Sequence, residues 1–160
     1  MMKLDLPSAA ATEALGAALA RALAARAGAV IFLEGELGAG KTTLARAFLR
    51  ELGVTGAIRS PTYTLLEHYS AGARNVLHMD LYRLTDPLEM ANLGLDDFPP
   101  LGTLWLVEWP QRGGALLPAP QVTVKLSVTG QGRSAVVVED HALGPDFSAQ
   151  LELLTHRTKN

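Results

Sequence analysis

Residues 35–42 have the sequence Gly-Glu-Leu-Gly-Ala-Gly-Lys-Thr, and their surroundings narrow the possible folds sharply. Before them, residues 29–33 (AVIFL) form an unbroken apolar run, which is typical of a strand buried on both faces of a parallel sheet. After them, residues 41–52 place apolar side chains at helical spacing, and Gly53 is suited to end a helix. The chain is therefore predicted to pass from strand to glycine-rich turn to helix, the context in which the pattern GxxxxGK[ST] forms a phosphate-binding loop.

Each part of this loop has a predicted role in holding a nucleotide. Glycines let the backbone curl so that several N–H groups point at phosphate oxygens, and the helix that follows adds its partial positive charge. Lys41 is expected to reach the β- and γ-phosphates, and the Thr42 hydroxyl is expected to bind Mg²⁺. Because the chain has no guanine-specific NKxD sequence, ATP or ADP with Mg²⁺ is the predicted cofactor.

Two carboxylates are candidates for the acid that a nucleotide site of this kind needs near Mg²⁺. Asp80 follows the predicted buried strand 76–79 (VLHM), and Glu108 follows the predicted strand 103–107 (TLWLV). Both are predicted at the carboxyl edge of a parallel strand, where ligands bind in open α/β sheets. Either acid could hold Mg²⁺, directly or through water, or orient the attacking water, and the alternative is a solvated residue at a strand exit.

Several residues near these acids have less specific interpretations. The segment 60–63 (SPTY) occupies the position of a mobile phosphate-sensing loop in switch-type nucleotide hydrolases, although taken alone it is an ordinary turn. Arg83 could stabilise phosphate charge or pair with an acid. Tyr82 and Trp109 are interpreted as packing residues, and so is His78 within its strand.

Composition excludes several classes of function. The net charge is −2, from 14 basic and 16 acidic residues, and no basic run exceeds two residues, so neither DNA nor RNA is predicted to bind this chain by itself. The absence of cysteine excludes disulfides and zinc thiolate sites. Charged residues interrupt the alanine-rich N-terminus, and no segment has the length of a membrane span, so we expect a cytoplasmic protein.

The remaining pattern predicts a single domain over residues 1–160. The predicted fold is α/β, a three-layer sandwich like that of P-loop nucleotide hydrolases, with a mostly parallel sheet extended by a C-terminal antiparallel hairpin. The further elements are a helix over 8–27 with Ser8 as N-cap, a strand over 65–69, a short helix over 87–93, a hairpin of strands 121–128 and 133–139, and a closing helix over 146–156.

Four sequence blocks together resemble the bacterial TsaE (YjeE) family. They are GELGAGKTT, SPTYTL, HMDLYRL and LVEWPQ, in family order and spacing, and the resemblance covers roughly residues 8–140. Members of this family are small P-loop ATPases that act in threonylcarbamoyladenosine (t⁶A) modification of tRNA at position 37. The last three blocks are far more specific than the phosphate loop alone.

The resemblance also implies roles for individual residues. Thr42, Asp80 and Glu108 would form the Mg²⁺ site, and Lys41, Asp80 and Glu108 would be the catalytic groups. Thr12 and Arg133 match family positions near the nucleotide. The full set of implied nucleotide contacts is Thr12, Leu37, Gly38, Ala39, Gly40, Lys41, Thr42, Thr43, Ser60, Thr62 and Arg133.

The family role implies that the ATPase works on protein partners. It would dock on the TsaB–TsaD heterodimer, in which TsaD transfers threonylcarbamoyl from its adenylate to adenosine 37, and ATP hydrolysis would drive or reset that complex. Transfer RNA would be met only through the complex. Two alternatives stay open, a small P-loop metabolite kinase and a nucleotide-dependent binding module without meaningful turnover. The lack of arginine and lysine in residues 84–101 argues against a kinase lid there.

Overall fold

A seven-stranded sheet forms the frame of this protein, which we describe from a computed structural model over residues 1–140 and 143–157. The strands are β1 (Met2–Leu6), β2 (Ala29–Glu34), β3 (Leu66–Ala71), β4 (Arg74–Asp80), β5 (Thr103–Glu108), β6 (Val122–Thr129) and β7 (Gly132–Glu139). The α-helices within the described residues are α1 (Ala9–Leu23), α2 (Lys41–Glu51) and α3 (Pro145–Arg157). Short 3₁₀ helices lie at Pro87–Asn92, Leu95–Asp97, Pro110–Arg112 and Gly114–Leu116.

The order of the strands is β1-β7-β6-β2-β5-β4-β3. The four central strands, β6, β2, β5 and β4, run parallel, whereas β7, β1 and β3 pair antiparallel at the two edges. The predicted mostly parallel sheet and its C-terminal antiparallel hairpin, formed by β6 and β7, are therefore both confirmed. Strand β1 was not predicted, because only Leu4 and Leu6 bury their side chains in its five residues.

Two apolar layers cover the sheet, which confirms the predicted three-layer arrangement. On one face the helices bury Leu15 and Leu19 of α1 together with Leu44 and Phe48 of α2, all fully inaccessible. This follows from their spacing of four residues, which places each pair on one side of its helix. On the other face the cover consists of loops and 3₁₀ turns, with Met90 at its centre, in place of α-helices.

Helix α1 begins as predicted and ends earlier than predicted. The Ser8 hydroxyl accepts a hydrogen bond of 3.2 Å from the N–H of Ala11, which confirms the N-cap. The helix ends at Leu23, not at residue 27. Past Leu23 the backbone bonds span three residues instead of four, from the Ala24 N–H to Arg21 and from the Arg26 N–H to Leu23. Gly28 follows where the chain passes the residues before β5, since a Cβ there would lie 2.2 Å from the carbonyl oxygen of Pro100.

Within residues 1–140 and 143–157, none of the helices is both long and apolar enough to cross a membrane.

Candidate functional site

The glycine-rich loop joins the end of β2 to the start of α2, as predicted. Gly38 and Gly40 adopt φ angles of +79° and +106°, a left-handed backbone that other residues rarely adopt. Gly40 is the N-cap of α2 and provides no side-chain cap, and the first turn contains no acidic residue. The first N–H groups of α2 therefore meet no capping side chain, which makes this helix end suited to an anion.

A cavity of about 250 Å³ opens over this loop. The residues that surround it are Leu37, Gly38, Gly40, Lys41, Thr42, Thr43, Thr62, Asp80, Tyr82, Glu108 and Trp109. Loop, strand ends and switch-like segment thus meet in one place, although they are separated along the chain. Ala39 and Ser60, which the resemblance also implied, do not line it.

The two candidate acids lie side by side at the carboxyl edge of the sheet. Asp80 and Glu108 are register partners at the ends of the parallel strands β4 and β5. Their exposed fractions are 6% and 1%, so neither is a solvated residue at a strand exit. The predicted convergence of both carboxylates beside the loop is therefore seen in the structure.

Glu108 is held at both of its carboxylate oxygens. The Thr42 hydroxyl donates to Oε1 at 3.0 Å, and Oε2 lies 2.6 Å from Nε2 of His78. His78 is fully buried on β4. Its interpretation as a packed residue was incomplete, because its ring also contacts a candidate catalytic group.

Asp80 is held differently, by the loops on either side of it. Its Oδ1 accepts the backbone N–H of Tyr82 at 3.0 Å, and its Oδ2 accepts the Thr62 hydroxyl at 3.2 Å. Thr62 also bonds to the Ser60 hydroxyl at 2.8 Å, so the SPTY segment is tied to this carboxylate. Burial raises the pKa of Asp80 above its ordinary value; the N–H of Tyr82 opposes this shift and the charge of Glu108 adds to it.

Lys41 turns back onto its own loop. Its ammonium group donates to the carbonyl oxygens of Gly35 and, at 2.9 Å, of Glu36, and it lies 4.5 Å from the ring centre of Trp109. Burial lowers the pKa of Lys41, and the charges of Glu108 and Asp80 oppose that shift. Lys41 thus bonds to carbonyl oxygens of its own loop while it also lines the cavity.

Tyr82 and Trp109 line the cavity, which their interpretation as packing residues missed. Their rings lie 5.0 Å apart, and Trp109 has a left-handed φ of +55°. Trp109 directly follows Glu108, and Tyr82 lies two residues after Asp80. This closeness in sequence to the two acids is the signal that could have placed both rings at the cavity. Arg83 lies elsewhere, with its guanidinium 4.3 Å from the ring centre of the exposed Tyr63.

Thr12 and Arg133 lie on the other side of the loop. Both line a second cavity of about 190 Å³, whose wall includes Gly38, Gly40 and Thr43. The Arg133 Nε donates to the Gly38 carbonyl at 3.1 Å. The distant C-terminal hairpin thereby contacts the phosphate loop, and the nucleotide contacts that the resemblance implies for Thr12 and Arg133 stay predictions.

The residues around the cavity fit a magnesium ion. Mg²⁺ is usually bound by one or two carboxylates, with phosphate oxygens and water completing its six ligands. Asp80, Glu108 and the Thr42 hydroxyl form such a partial oxygen set. Among the described residues no group of three acidic, histidine or cysteine side chains forms a complete metal site, so the remaining ligands would have to come from a phosphate group or water.

Comparison with known proteins identifies the family. Residues 6–135 match the family described as "Threonylcarbamoyl adenosine biosynthesis protein TsaE". The chain belongs to the TsaE family. It is 36% identical over 118 residues to the TsaE protein of Haemophilus influenzae, covering 74% of this chain and 75% of that protein. It is 44% identical over 117 residues to the TsaE protein of Synechocystis, covering 69% of this chain and 71% of that protein.

A solved structure shows the same fold. The crystal structure of Bacillus subtilis YdiB superposes with a TM-score of 0.72 at 29% sequence identity, covering 99% of this chain and 96% of that one. The TsaE family and the P-loop α/β fold, both expected from the sequence blocks, are thus confirmed.

Proposed function

We propose that this chain is a Mg²⁺-dependent ATPase that acts in t⁶A modification of adenosine 37 in tRNA. The observation that carries the proposal is the pair of buried carboxylates, in register at the ends of β4 and β5, beside a phosphate loop. Family membership supplies the pathway, since the relatives are named for threonylcarbamoyladenosine biosynthesis.

Phosphate binding would use the uncapped N-terminus of α2 and Lys41. The ammonium group of Lys41 would exchange the carbonyl oxygens of Gly35 and Glu36 for phosphate oxygens. Arg133 and Thr12 would contact the nucleotide from the second cavity.

The acidic edge would perform the chemistry. Thr42, Asp80 and Glu108 would hold Mg²⁺, which when bound neutralises charge that develops on the phosphates. Glu108 is the better placed of the two acids to orient water, because two elements of the fold hold its carboxylate. Asp80 is tied through Thr62 to the switch-like segment, which would let that segment respond to the phosphate end.

We further propose that the chain docks on the TsaB–TsaD complex and resets it after each transfer. A chain with a net charge of −2 and no basic run suits a component that leaves the tRNA to its partners. Hydrolysis should be slow for the chain alone, because a partner can supply groups that complete the site.

The test is ATP hydrolysis by the purified chain, alone and with TsaB–TsaD. We expect strong stimulation by the heterodimer and no activity above background for Lys41→Ala. Lys125→Ala, at an exposed lysine on β6, is the matched control and should behave as the wild type.

Three results would contradict the proposal. Fast hydrolysis that ignores TsaB–TsaD would show a site complete within this chain. Transfer of labelled phosphate from ATP to a metabolite pool would show a kinase. If Glu108→Ala abolished hydrolysis and left t⁶A formation intact, the chain would act as a nucleotide-dependent binding module.

A further inference from the structure

We propose that His78 is a positioning residue that holds the Glu108 carboxylate in the orientation that hydrolysis requires. The inference rests on the proposed function of Glu108 and adds a residue that does not line the cavity. His78 would act through Glu108, without touching the nucleotide or the attacking water.

The geometry isolates the His78–Glu108 contact inside the sheet. His78 lies on β4 and Glu108 ends the adjacent β5, so two neighbouring strands hold the two side chains. The side chains are 0% and 2% exposed, and Nε2 lies 2.6 Å from Oε2. A contact buried to this degree, between side chains on regular strands, leaves the carboxylate few alternative rotamers.

The unpaired ring nitrogen indicates where the proton lies. Among the described residues, Nδ1 of His78 is a buried side-chain atom without a hydrogen-bond partner. A proton on Nδ1 would be a buried donor without an acceptor, which is costly. The imidazole therefore carries its proton on Nε2 and donates it to Glu108, so that Glu108 accepts one bond from His78 and one from Thr42.

The two bonds to Glu108 are not equivalent. The Thr42 hydroxyl lines the cavity and is also expected to bind Mg²⁺ through its oxygen, so the geometry of its bond to Glu108 depends on how the loaded site is arranged. His78 does not line the cavity, and among the described residues its second ring nitrogen, Nδ1, has no hydrogen-bond partner. It would remain as the fixed anchor of Glu108 when the site is loaded.

Two substitutions separate positioning from packing. His78→Gln places an amide N–H near the position of Nε2, whereas His78→Met has similar bulk and no donor. With TsaB–TsaD present, we expect His78→Met to lower kcat about 10–100-fold, while KM and ATP binding stay within about twofold. His78→Gln should recover most of the loss, which a requirement for bulk alone would not explain.

His68→Met is the matched control. His68 lies on the neighbouring strand β3 and also bonds through Nε2 to a side-chain oxygen, Asn75 Oδ1, at 3.0 Å, but it is exposed and away from the cavity. Its replacement should leave kcat unchanged. Thermal unfolding curves of all variants identify a temperature at which every variant is folded, and kcat is compared at that temperature.

A second readout needs neither nucleotide nor partner. Imidazole ¹⁵N spectra of the unliganded protein should show a proton on Nε2 of His78, with the Nε2 signal shifted in Glu108→Gln. An Nε2 without a proton, wild-type kcat in His78→Met, or equal losses in His78→Met and His78→Gln would overturn the proposal. If the wild type does not hydrolyse ATP, the proposed function fails, and the spectra still decide whether His78 donates to Glu108.

Discussion

The ends of β4 and β5 are adjacent, parallel and in register, and each carries a buried carboxylate, yet the two are held by different parts of the molecule. Glu108 is bonded by a helix and a strand, through Thr42 and His78. Asp80 is bonded by loops, through Thr62 and the N–H of Tyr82. The difference indicates a division of labour between the two acids. Glu108 is held in one position for catalysis, whereas Asp80 is coupled to a segment that can respond to ligand.

The largest expected effect is a loss of hydrolysis when the carboxylate of Glu108 is removed. Glu108→Gln keeps the size of the side chain and removes the carboxylate, so we expect partner-stimulated kcat to fall about 100-fold or more while ATP binding is retained. Steady-state hydrolysis and equilibrium ATP binding measure the two effects. Glu13→Gln, at an exposed position, is the control. If Asp80→Asn gave the same loss without changing the Mg²⁺ dependence, the division of labour would be wrong.

The next effect concerns stability without metal. Glu108→Ala leaves the buried His78 ring and the Thr42 hydroxyl without their acceptor, and we expect it to cost about 2–3 kcal/mol of unfolding free energy. Asp80→Ala also leaves two donors, the N–H of Tyr82 and the Thr62 hydroxyl, without their acceptor, but it removes a carboxylate that burial disfavours, so it should cost less than Glu108→Ala. Urea unfolding in the presence of a chelator compares them. Equal costs would show that both acids are held equally firmly.

A smaller effect should follow from cutting the link to the switch-like segment. Thr62→Val removes the bonds from Thr62 to Asp80 and to the Ser60 hydroxyl while keeping the shape of the side chain. We expect partner-stimulated hydrolysis to fall about fivefold, the equivalent of one modest hydrogen bond. Thr64→Val is the control, since the exposed Thr64 bonds to Glu67 instead. If Thr62→Val left the rate of partner-stimulated hydrolysis unchanged, the bond between the switch-like segment and Asp80 would have no role in hydrolysis.

The smallest effect is a pH dependence of stability. Because the pKa of Asp80 is raised in the folded chain, folded protein binds that proton more tightly than unfolded protein does. As pH rises from the ordinary value of 3.8 through the raised value, the wild type loses this contribution. Asp80→Asn cannot lose it, so the stability of the variant relative to wild type should increase across that window and then level off.

Urea unfolding at a series of pH values, in chelator, measures this difference. Asp96→Asn, at an exposed aspartate, provides the baseline. If the difference in unfolding free energy between Asp80→Asn and wild type stayed constant with pH, the pKa of Asp80 would not be raised by folding. The two acids would then differ only in the groups that hold them.

Local features of this site could be predicted from the sequence, and features that depend on strand order could not. The loop at 35–42 lies between a strand and a helix that its own neighbours specify, so its place followed from a short stretch. The contact between His78 and Glu108 spans 30 residues and exists because β4 and β5 are neighbours. Nothing within residues 76–80 distinguishes a packed histidine from one that contacts a carboxylate.

The edges of the fold show the same limit. Strand β1 has five residues and two buried leucines, too short a pattern to stand out from a loop, and its pairing with β7 is found only in the folded chain. The left-handed turn at Trp109 is equally hidden, because its φ of +55° is rare for a tryptophan and is held by tertiary contacts. Only the family resemblance singled out Thr12 and Arg133, which the structure places beside the phosphate loop, and their roles toward the nucleotide stay predictions.

The pairing of β1 with β7 also bears on how the chain is made. Leu6 pairs with Arg133, so about 130 residues must follow β1 out of the ribosome before its partner strand exists. At ordinary elongation rates that delay is on the order of ten seconds. For that time the open edge of β1 has no native neighbour, while β2, β4 and β5 can already pair beside the nascent phosphate loop. Closure of the sheet at β1 would then follow the formation of its parallel centre.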